Sequence, residues 1–324
     1  MPAYRAPETK DERLADVAEM YYQDGMTQAE ISQRIGVTRS MVSRMLSEAR
    51  RRGIIEIRVH RPLRFDRDLE KQLCERFDLR RVVVATIWNE GPTRLLAPLG
   101  IAAANVLKSQ LKAEMILGMA WGTAIRATVD ALEVEEPTPI TIVQLVGAGD
   151  SRVKDFDGHA LVQRLAAKLG GEGVYLYAPI MVEDADTARS LLSTNPIRET
   201  IELARKSSVA LLGVGSTDPR ISTLYHSGYF SLDDINALRT DGAVGNVCGL
   251  HFTIDGKMTS LEFQSRLVTI DKDDLLAIPV RLGVTGGVGK APAILGALRA
   301  GFLTDLVTDS AAAREILLLD QQTR

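Results

Sequence analysis

The sequence predicts an α/β chain in parts: a helix-turn-helix domain over residues 1–62, a linker helix over 63–79 and a doubly wound α/β domain over 80–324. Three observations carry this. Short helical patterns joined by a glycine turn occupy the first sixty residues. Several later runs are apolar without polar alternation, as strands covered on both faces read, and helix-period segments separate them. A length of 324 residues exceeds one ordinary core, which a small domain beside a large one accommodates.

The balance of 45% hydrophobic and 25% charged residues places the chain among globular proteins rather than disordered ones. No run approaches the roughly 18 apolar residues of a membrane span. The N-terminal MPAYRAPETKDER also lacks the apolar segment of a leader peptide. The expectation is a cytoplasmic protein with no membrane partner. Cys74 and Cys248 are far apart, and neither Cys-x-x-Cys nor His-Glu-x-x-His occurs, so a disulfide framework, a metal site and a cofactor are not expected. The net charge of −3 conceals an asymmetry: residues 1–64 carry +3, and within them 34–64 carry +7 from nine arginines against Glu48 and Glu56. A basic block on an acidic chain points to a polyanion-binding end.

In the N-terminal part, residues 10–24 place Leu14, Val17, Ala18 and Tyr21 on one helical face, and Gly25 ends that helix. Thr27 and Glu30 then have the spacing of a capping box, in which each side chain satisfies the other's backbone N–H. After Gly36-Val37, Thr38 is a candidate N-cap for a third helix that turns Val42, Met45, Leu46 and Ala49 inward and leaves Arg39, Ser40, Ser43, Arg44 and Ser47 outside. Two helices locked by Ile31, Ile35, Val37, Val42 and Met45 across a glycine turn form a helix-turn-helix pattern. Arginine and serine on the outward face can bond base edges. The expected DNA-contacting set is Thr27, Gln28, Thr38, Arg39, Ser40, Ser43, Arg44 and, for phosphates, Arg50, Arg51 and Arg52. GIIEIRVH after them is a candidate wing strand with Arg58 on its rim.

In the large part, FDRDLEKQLCERFDL reads as the linker helix, with Phe65, Leu69, Leu73 and Phe77 recurring every fourth residue as a candidate seam between copies. The expected strands are RVVVATI, AEMILGMAW, ITIVQLVGAG, VYLYAPI, VALLGVG, LLAIPVRLGVTGG and LVTD. The helices between and after them include TAIRATVDAL, HALVQRLAAKL, IRETIELARKS, LDDINALRT and APAILGALRAG. In such sheets ligands bind beyond the carboxyl ends of the strands. Four glycine-rich loops belong there: AWGTA with Gly122 and Thr123, VGAGDS with Gly147, GVGSTD with Gly213, Gly215 and Ser216, and TGGVGK with Gly286, Gly287 and Lys290. Each alone is an ordinary turn; together they suggest a pocket for an anionic, polyhydroxylated ligand. GVTGGVGKA is no nucleotide-hydrolase loop, because Val284 takes the place of its first glycine and Ala291 that of its magnesium-holding hydroxyl. Such a loop could grip a phosphate without cleaving it.

The order of these motifs, from the helix-turn-helix through AWGTA, VQLVG, APIMV, LLGVGS, GAVGNVCG, GVTGGVGKAPAILGALRAG and LVTD, resembles the SorC family (SorC/DeoR-type) of sugar-responsive bacterial transcription regulators over nearly the whole chain. The resemblance implies an effector domain similar to sugar-phosphate isomerases and glucosamine-6-phosphate deaminases. Its ligand would be a sugar, polyol or sugar phosphate, and its assembly a homo-oligomer, dimer or tetramer, on operator DNA. By the same resemblance Gly122 and Thr123 hold phosphate at a helix N-terminus, Lys290 faces it, and Gly213, Gly215 and Ser216 line the sugar. Asn246 stands where the family has an acidic residue.

The competing expectation is an isomerase- or deaminase-like enzyme with an appended DNA-binding module. It needs a general base near the substrate carbon. Asp218 is the candidate, but deaminase relatives carry Asp-Gly-His after the Gly-x-Gly loop, and this chain runs on as STDPRISTLYH. The favoured expectation is therefore a regulator with no catalytic residues.

Overall fold

The computed structural model describes residues 9–56, 62–87, 92–148, 157–259 and 261–323. The chain divides into two compact units, Met1–Pro62 and Leu63–Arg324. The candidate wing residues 57–60, Arg58 included, lie outside the described residues, as do Gly149, Asp150 and Ser151 of the VGAGDS loop.

The first unit holds α1 (Lys10–Tyr22), α2 (Gln28–Ile35) and α3 (Arg39–Arg51). Local chemistry sets each start. Thr9 with Glu12 and Thr27 with Glu30 both close capping boxes, and the Thr38 hydroxyl accepts from the Met41 N–H at 3.3 Å. Gly36 ends α2 in the left-handed region at φ 70°, where a side chain would be strained. Leu14, Val17, Ile31, Val42 and Ala49 are buried where the three helices meet. On α1, Met20 is buried and Tyr21 only half-buried, so the inward face is turned slightly from the expected one.

The second unit's strands are β1 (Arg64–Phe65), β2 (Arg81–Thr86), β3 (Ile116–Met119), β4 (Thr141–Gln144), β5 (Glu172–Val174), β6 (Val209–Gly213), β7 (Gly215–Ser216), β8 (Ala243–Val247), β9 (Leu250–Thr253), β10 (Val280–Val284) and β11 (Asp305–Asp309). Its helices are α4 (Arg67–Phe77), α5 (Pro92–Lys108), α6 (Thr123–Ala131), α7 (Gly158–Leu169), α8 (Ala185–Ser193), α9 (Asn195–Ala204), α10 (Thr223–His226), α11 (Leu232–Thr240), α12 (Leu261–Gln264), α13 (Lys272–Ala277), α14 (Ala291–Arg299) and α15 (Ser310–Gln322).

The main sheet has the order β1-β2-β11-β10-β6-β3-β4-β5, parallel throughout except for the antiparallel edge strand β1. Alternate residues feed cores on opposite faces: Ala210 and Leu212 point to one, Val209 and Leu211 to the other. Apolar strands without polar alternation follow directly from that double coverage. From β3 the chain winds outward through β4 to β5, then returns to place β6 on the other side of β3. The gap between β3 and β6 is thus a topological switch point, where the carboxyl-end loops diverge and leave a crevice.

Several expected elements differ from those observed. Only Val174 of VYLYAPI lies in a strand; the segment beyond it makes single bridges, Ala148 with Pro179 and Met181 with Leu267. The LLA of LLAIPV belongs to α13, because Asp271 caps that helix by accepting from the Asp274 N–H at 2.8 Å. GAVGNVCG, quoted above only as a motif, forms with LHFT the hairpin β8–β9, which with β7 makes a separate antiparallel sheet. Its two-residue turn, Cys248-Gly249, has φ 52° and 79°, the paired positive angles that match strand twist.

The candidate seam is not free. Phe65 lies on β1, Leu69 and Leu73 are buried in the unit's own core, and Phe77 packs against it. Arg76 on α4 also grips the buried Asp320 carboxylate of α15 through two hydrogen bonds of 2.5 and 3.1 Å. Leu69 and Leu73 are thus used within this unit, while Phe65 and Phe77 are only half-buried.

Candidate functional site

On α3, one turn of helix advances 3.6 residues, so Ser40, Arg44, Ser47 and Arg51 fall along one outward line. Arg39, Ser43 and Arg50 flank it on one side, Met41 and Glu48 on the other. All of these are exposed except Glu48, which is half-buried. The line opposite, through Val42, Met45, Leu46 and Ala49, is buried. The expected outward residues are therefore together on one surface. Thr27 and Thr38 are exposed at the starts of α2 and α3, while Gln28 is half-buried.

The three terminal arginines are not equivalent. Arg50 donates to the Tyr22 hydroxyl at 2.8 Å, which fixes its fork over α1. Arg52 pairs with Asp11 at 2.5 Å. Arg51 has only a 4.0 Å approach to Glu48, whose carboxylate is held nearer by Lys10 at 2.8 Å. That leaves Arg51 the least engaged of the three.

In the second unit a cleft opens at the switch point between β3 and β6. The turn after β3 brings Trp121, Gly122 and Thr123; the end of β6 brings Gly213 and β7 brings Gly215 and Ser216; the short 3-10 turn Val288–Lys290 after β10 brings Lys290; and β8 brings Asn246. Gly122 adopts φ 139° and α6 begins there without a side-chain cap, so the positive end of its backbone dipoles faces the cleft unshielded.

Lys290 keeps some exposure as a residue, yet its ammonium is desolvated enough to hold its pKa below the ordinary lysine value. Nζ donates to the Val214 carbonyl at 3.1 Å, and among the described residues no carboxylate pairs with it. An ammonium has three donors, and the carbonyl accepts one.

Gly215 sits directly across from Asn246 in the β7–β8 pair, and a Cβ on Gly215 would come within 2.6 Å of Asn246 Nδ2. The absence of a side chain there makes room for the buried Asn246 amide, which can both donate and accept. Ser216 is buried with its hydroxyl accepting from the Asp218 N–H at 3.1 Å.

Three expected residues do not line the cleft. Gly287 commits its N–H to the Asp309 carboxylate at 2.5 Å, and a Cβ on Gly286 would lie 2.4 Å from the same carboxylate. The other Asp309 oxygen accepts from the N–H groups of Ala311 and Ala312 at the start of α15. Gly286 and Gly287 thus clamp the loop to α15 and aim Lys290, rather than cradling an anion themselves. Gly147 likewise acts indirectly: its carbonyl accepts from the Trp121 indole at 3.0 Å and so sets the aromatic wall.

Trp121, Ile180, Ser222, Thr223, Leu224 and Cys248 line the cleft without having been expected. Desolvation pushes the Cys248 thiol up to about 12, leaving it a neutral wall group. Asp218 does not line the cleft; both its oxygens bond the Arg220 guanidinium, which with the Arg220 N–H holds its pKa down to about 2. A carboxylate so acidic is a poor general base at neutral pH.

Comparison with known proteins gives the family of each unit. Residues 61–318 match the sugar-binding domain family and residues 12–68 the Crp-like helix-turn-helix domain. The chain is 32% identical to the transcriptional regulator LsrR of Escherichia coli K12 over 314 residues, 95% of each protein. It is 30% identical to LsrR of Enterobacter sp. over 317 residues, 96% of this chain and 94% of that one. The crystal structure of the full-length sorbitol operon regulator SorC from Klebsiella pneumoniae superposes with a TM-score of 0.71 at 25% identity, covering 95% of this chain and 99% of that one. A DeoR family transcriptional regulator from Listeria monocytogenes gives 0.70 at 29% identity over 77% of this chain and 98% of that one. These relatives are transcriptional regulators rather than enzymes. No helix among the described residues is long and apolar enough to cross a membrane. The chain belongs to the SorC/DeoR-type family of sugar-binding transcriptional regulators, DNA-binding proteins of carbohydrate metabolism controlled by a small effector.

Proposed function

We propose that the chain controls a carbohydrate catabolic operon by holding operator DNA with α3 and a phosphorylated sugar or polyol in the α/β cleft. The observation that carries the ligand class is the desolvated Lys290 ammonium, with a single carbonyl partner, lining the same cleft as the uncapped start of α6. An anion at that point would satisfy both the cation and the helix N–H groups. Thr123, Ser216 and Asn246 supply hydroxyl and amide groups for a polyhydroxylated body, and Trp121 supplies an apolar wall.

On the DNA side, Arg39, Ser40, Ser43 and Arg44 are proposed to read bases. Arg51, assisted by Arg50 and Arg52, would anchor phosphates, and Thr27, Gln28 and Thr38 would meet the backbone at helix starts. Two recognition helices must enter successive major grooves, so the working form is at least a dimer, with a tetramer as the fuller assembly. Leu69 and Leu73 of the stripe are buried within the unit, which favours other surfaces for the contacts between copies. Effector binding changes operator affinity only through a preference for one arrangement, and a hundredfold change needs about 2.7 kcal/mol of differential affinity.

The test is fluorescence anisotropy of the full chain on the DNA upstream of its own gene, with matched sugars, polyols and their phosphates. A change in operator affinity caused by a phosphate and not by its free sugar supports the reading. No response to any of them removes the ligand class.

A further inference from the structure

Among the described residues of the helical unit, two large apolar side chains are exposed: Tyr22 at 43% and Met41 at 50%. Tyr22 has a use there, since its hydroxyl accepts from Arg50 and its ring meets Tyr21 edge to face. Met41 has neither a hydrogen-bonding tip nor a place in the unit's core. It is the third residue of α3, in the turn whose start Thr38 fixes by accepting the Met41 N–H. A methionine on an exposed first turn gains nothing from solvent, and the position is one where aspartate or glutamate would favour the helix dipole.

The surroundings narrow what could cover it. Ser40 and Arg44 lie beside Met41 on the outward line of α3, and the segment 34–64 carries +7. A protein partner with an apolar pocket would have to bury those arginines as well. Duplex DNA would accept them, and its major groove offers one apolar group among the base edges, the thymine C5-methyl. In this type of motif the first residues of the second helix are those that reach base edges. Methionine suits such a contact because its unbranched thioether adjusts to the position of a small apolar group.

We infer that Met41 is a specificity-determining residue that reads one thymine in each half-site by packing its thioether on the C5-methyl. Arg44 and Ser40 then bond neighbouring polar edges, and Met41 disfavours a cytosine at its own position because that base lacks the methyl. This inference rests on the DNA-binding reading of α3, and its test keeps the two separable.

The experiment begins with the full chain selecting duplexes from a random library. Each thymine of the enriched site is then replaced singly by uracil, which removes only the methyl, and affinities are measured for the wild type, Met41→Ala and Met41→Leu. Loss of one buried methyl contact corresponds to roughly a fourfold weakening. The expected result is such a weakening at one symmetry-related position for the wild type, none at that position for Met41→Ala, and partial retention for Met41→Leu. Enrichment of a defined sequence with no uracil effect, or with the same uracil effect in wild type and Met41→Ala, overturns the inference while leaving DNA reading intact. Failure to enrich any sequence overturns both.

Discussion

In the cleft the Lys290 ammonium donates to the Val214 carbonyl at 3.1 Å, and no carboxylate among the described residues pairs with it. A desolvated cation of this kind costs stability unless something anionic completes it. Replacing it by Met, of similar length and without charge, should leave the melting temperature unchanged or slightly raised. Affinity for a phosphorylated effector should fall at least tenfold. Calorimetric titration beside thermal melts checks both.

The same lysine predicts a pH dependence. Its folded pKa is lowered, so the unfolded chain binds more protons between that value and 10.5, and this group's contribution to stability rises with pH there. A bound anion favours the charged form and raises the pKa. Binding should therefore take up protons where the free lysine is partly deprotonated, below 10.5, and weaken as pH rises through that window. Titrations in buffers of different ionisation enthalpy measure that uptake, and Lys290→Met should abolish it.

The clamp between Asp309 and the glycine loop predicts a loss of both stability and ligand. Gly286→Ala puts a Cβ 2.4 Å from the Asp309 carboxylate and 2.7 Å from Leu99, a crowding that typically costs about 1–3 kcal/mol. Urea unfolding should show that loss, and effector affinity should drop because Lys290 is displaced. Gly215→Ala differs: its clash is with the movable Asn246 amide, so effector affinity should fall with a smaller change in stability.

His251 gives a second titration, at acid pH. It is fully buried beside Phe230 and Phe263, and desolvation lowers its pKa to about 4. The unfolded chain takes up the proton near 6.5, so stability should be lost as pH falls from about 6.5 towards 4, by about 3 kcal/mol at most. His251→Leu should flatten that part of a melting-temperature profile.

On the DNA surface, Arg51→Ala should weaken binding to all sequences alike and reduce the salt slope by about one unit. Arg44→Ala should instead relax preference at one base position. Arg52→Ala should change the slope less than Arg51→Ala, because Arg52 is partly neutralised by Asp11. Affinities on selected and random duplexes at several salt concentrations separate these outcomes.

The parts legible in the sequence were those fixed by short-range chemistry. Thr27 and Glu30 cap α2 whatever else the chain does, and doubly covered strands such as Val209–Gly213 read as apolar runs because both faces are buried. The β8–β9 hairpin was missed because its turn is Cys-Gly rather than Asn-Gly, although residues around that turn carried a strand pattern. Glycine-rich loops marked the right edge of the sheet but not the use of each glycine. Gly215 makes room in the cleft, whereas Gly286 makes room for Asp309, a residue more than twenty positions away that no local pattern connects to it. Trp121 was hidden for the same reason, since its orientation depends on the Gly147 carbonyl from another loop.

The central claim, that Lys290 and the start of α6 hold an anionic group of the effector, is tested most directly by calorimetry of the full chain against matched sugar and sugar-phosphate pairs, for wild type and Lys290→Met. The account predicts that one phosphate binds the wild type at least tenfold more tightly than its free sugar, and that Lys290→Met reduces this preference sharply while free-sugar binding stays similar. Tight binding of a free sugar or polyol with no gain from phosphate, unchanged in Lys290→Met, would contradict it.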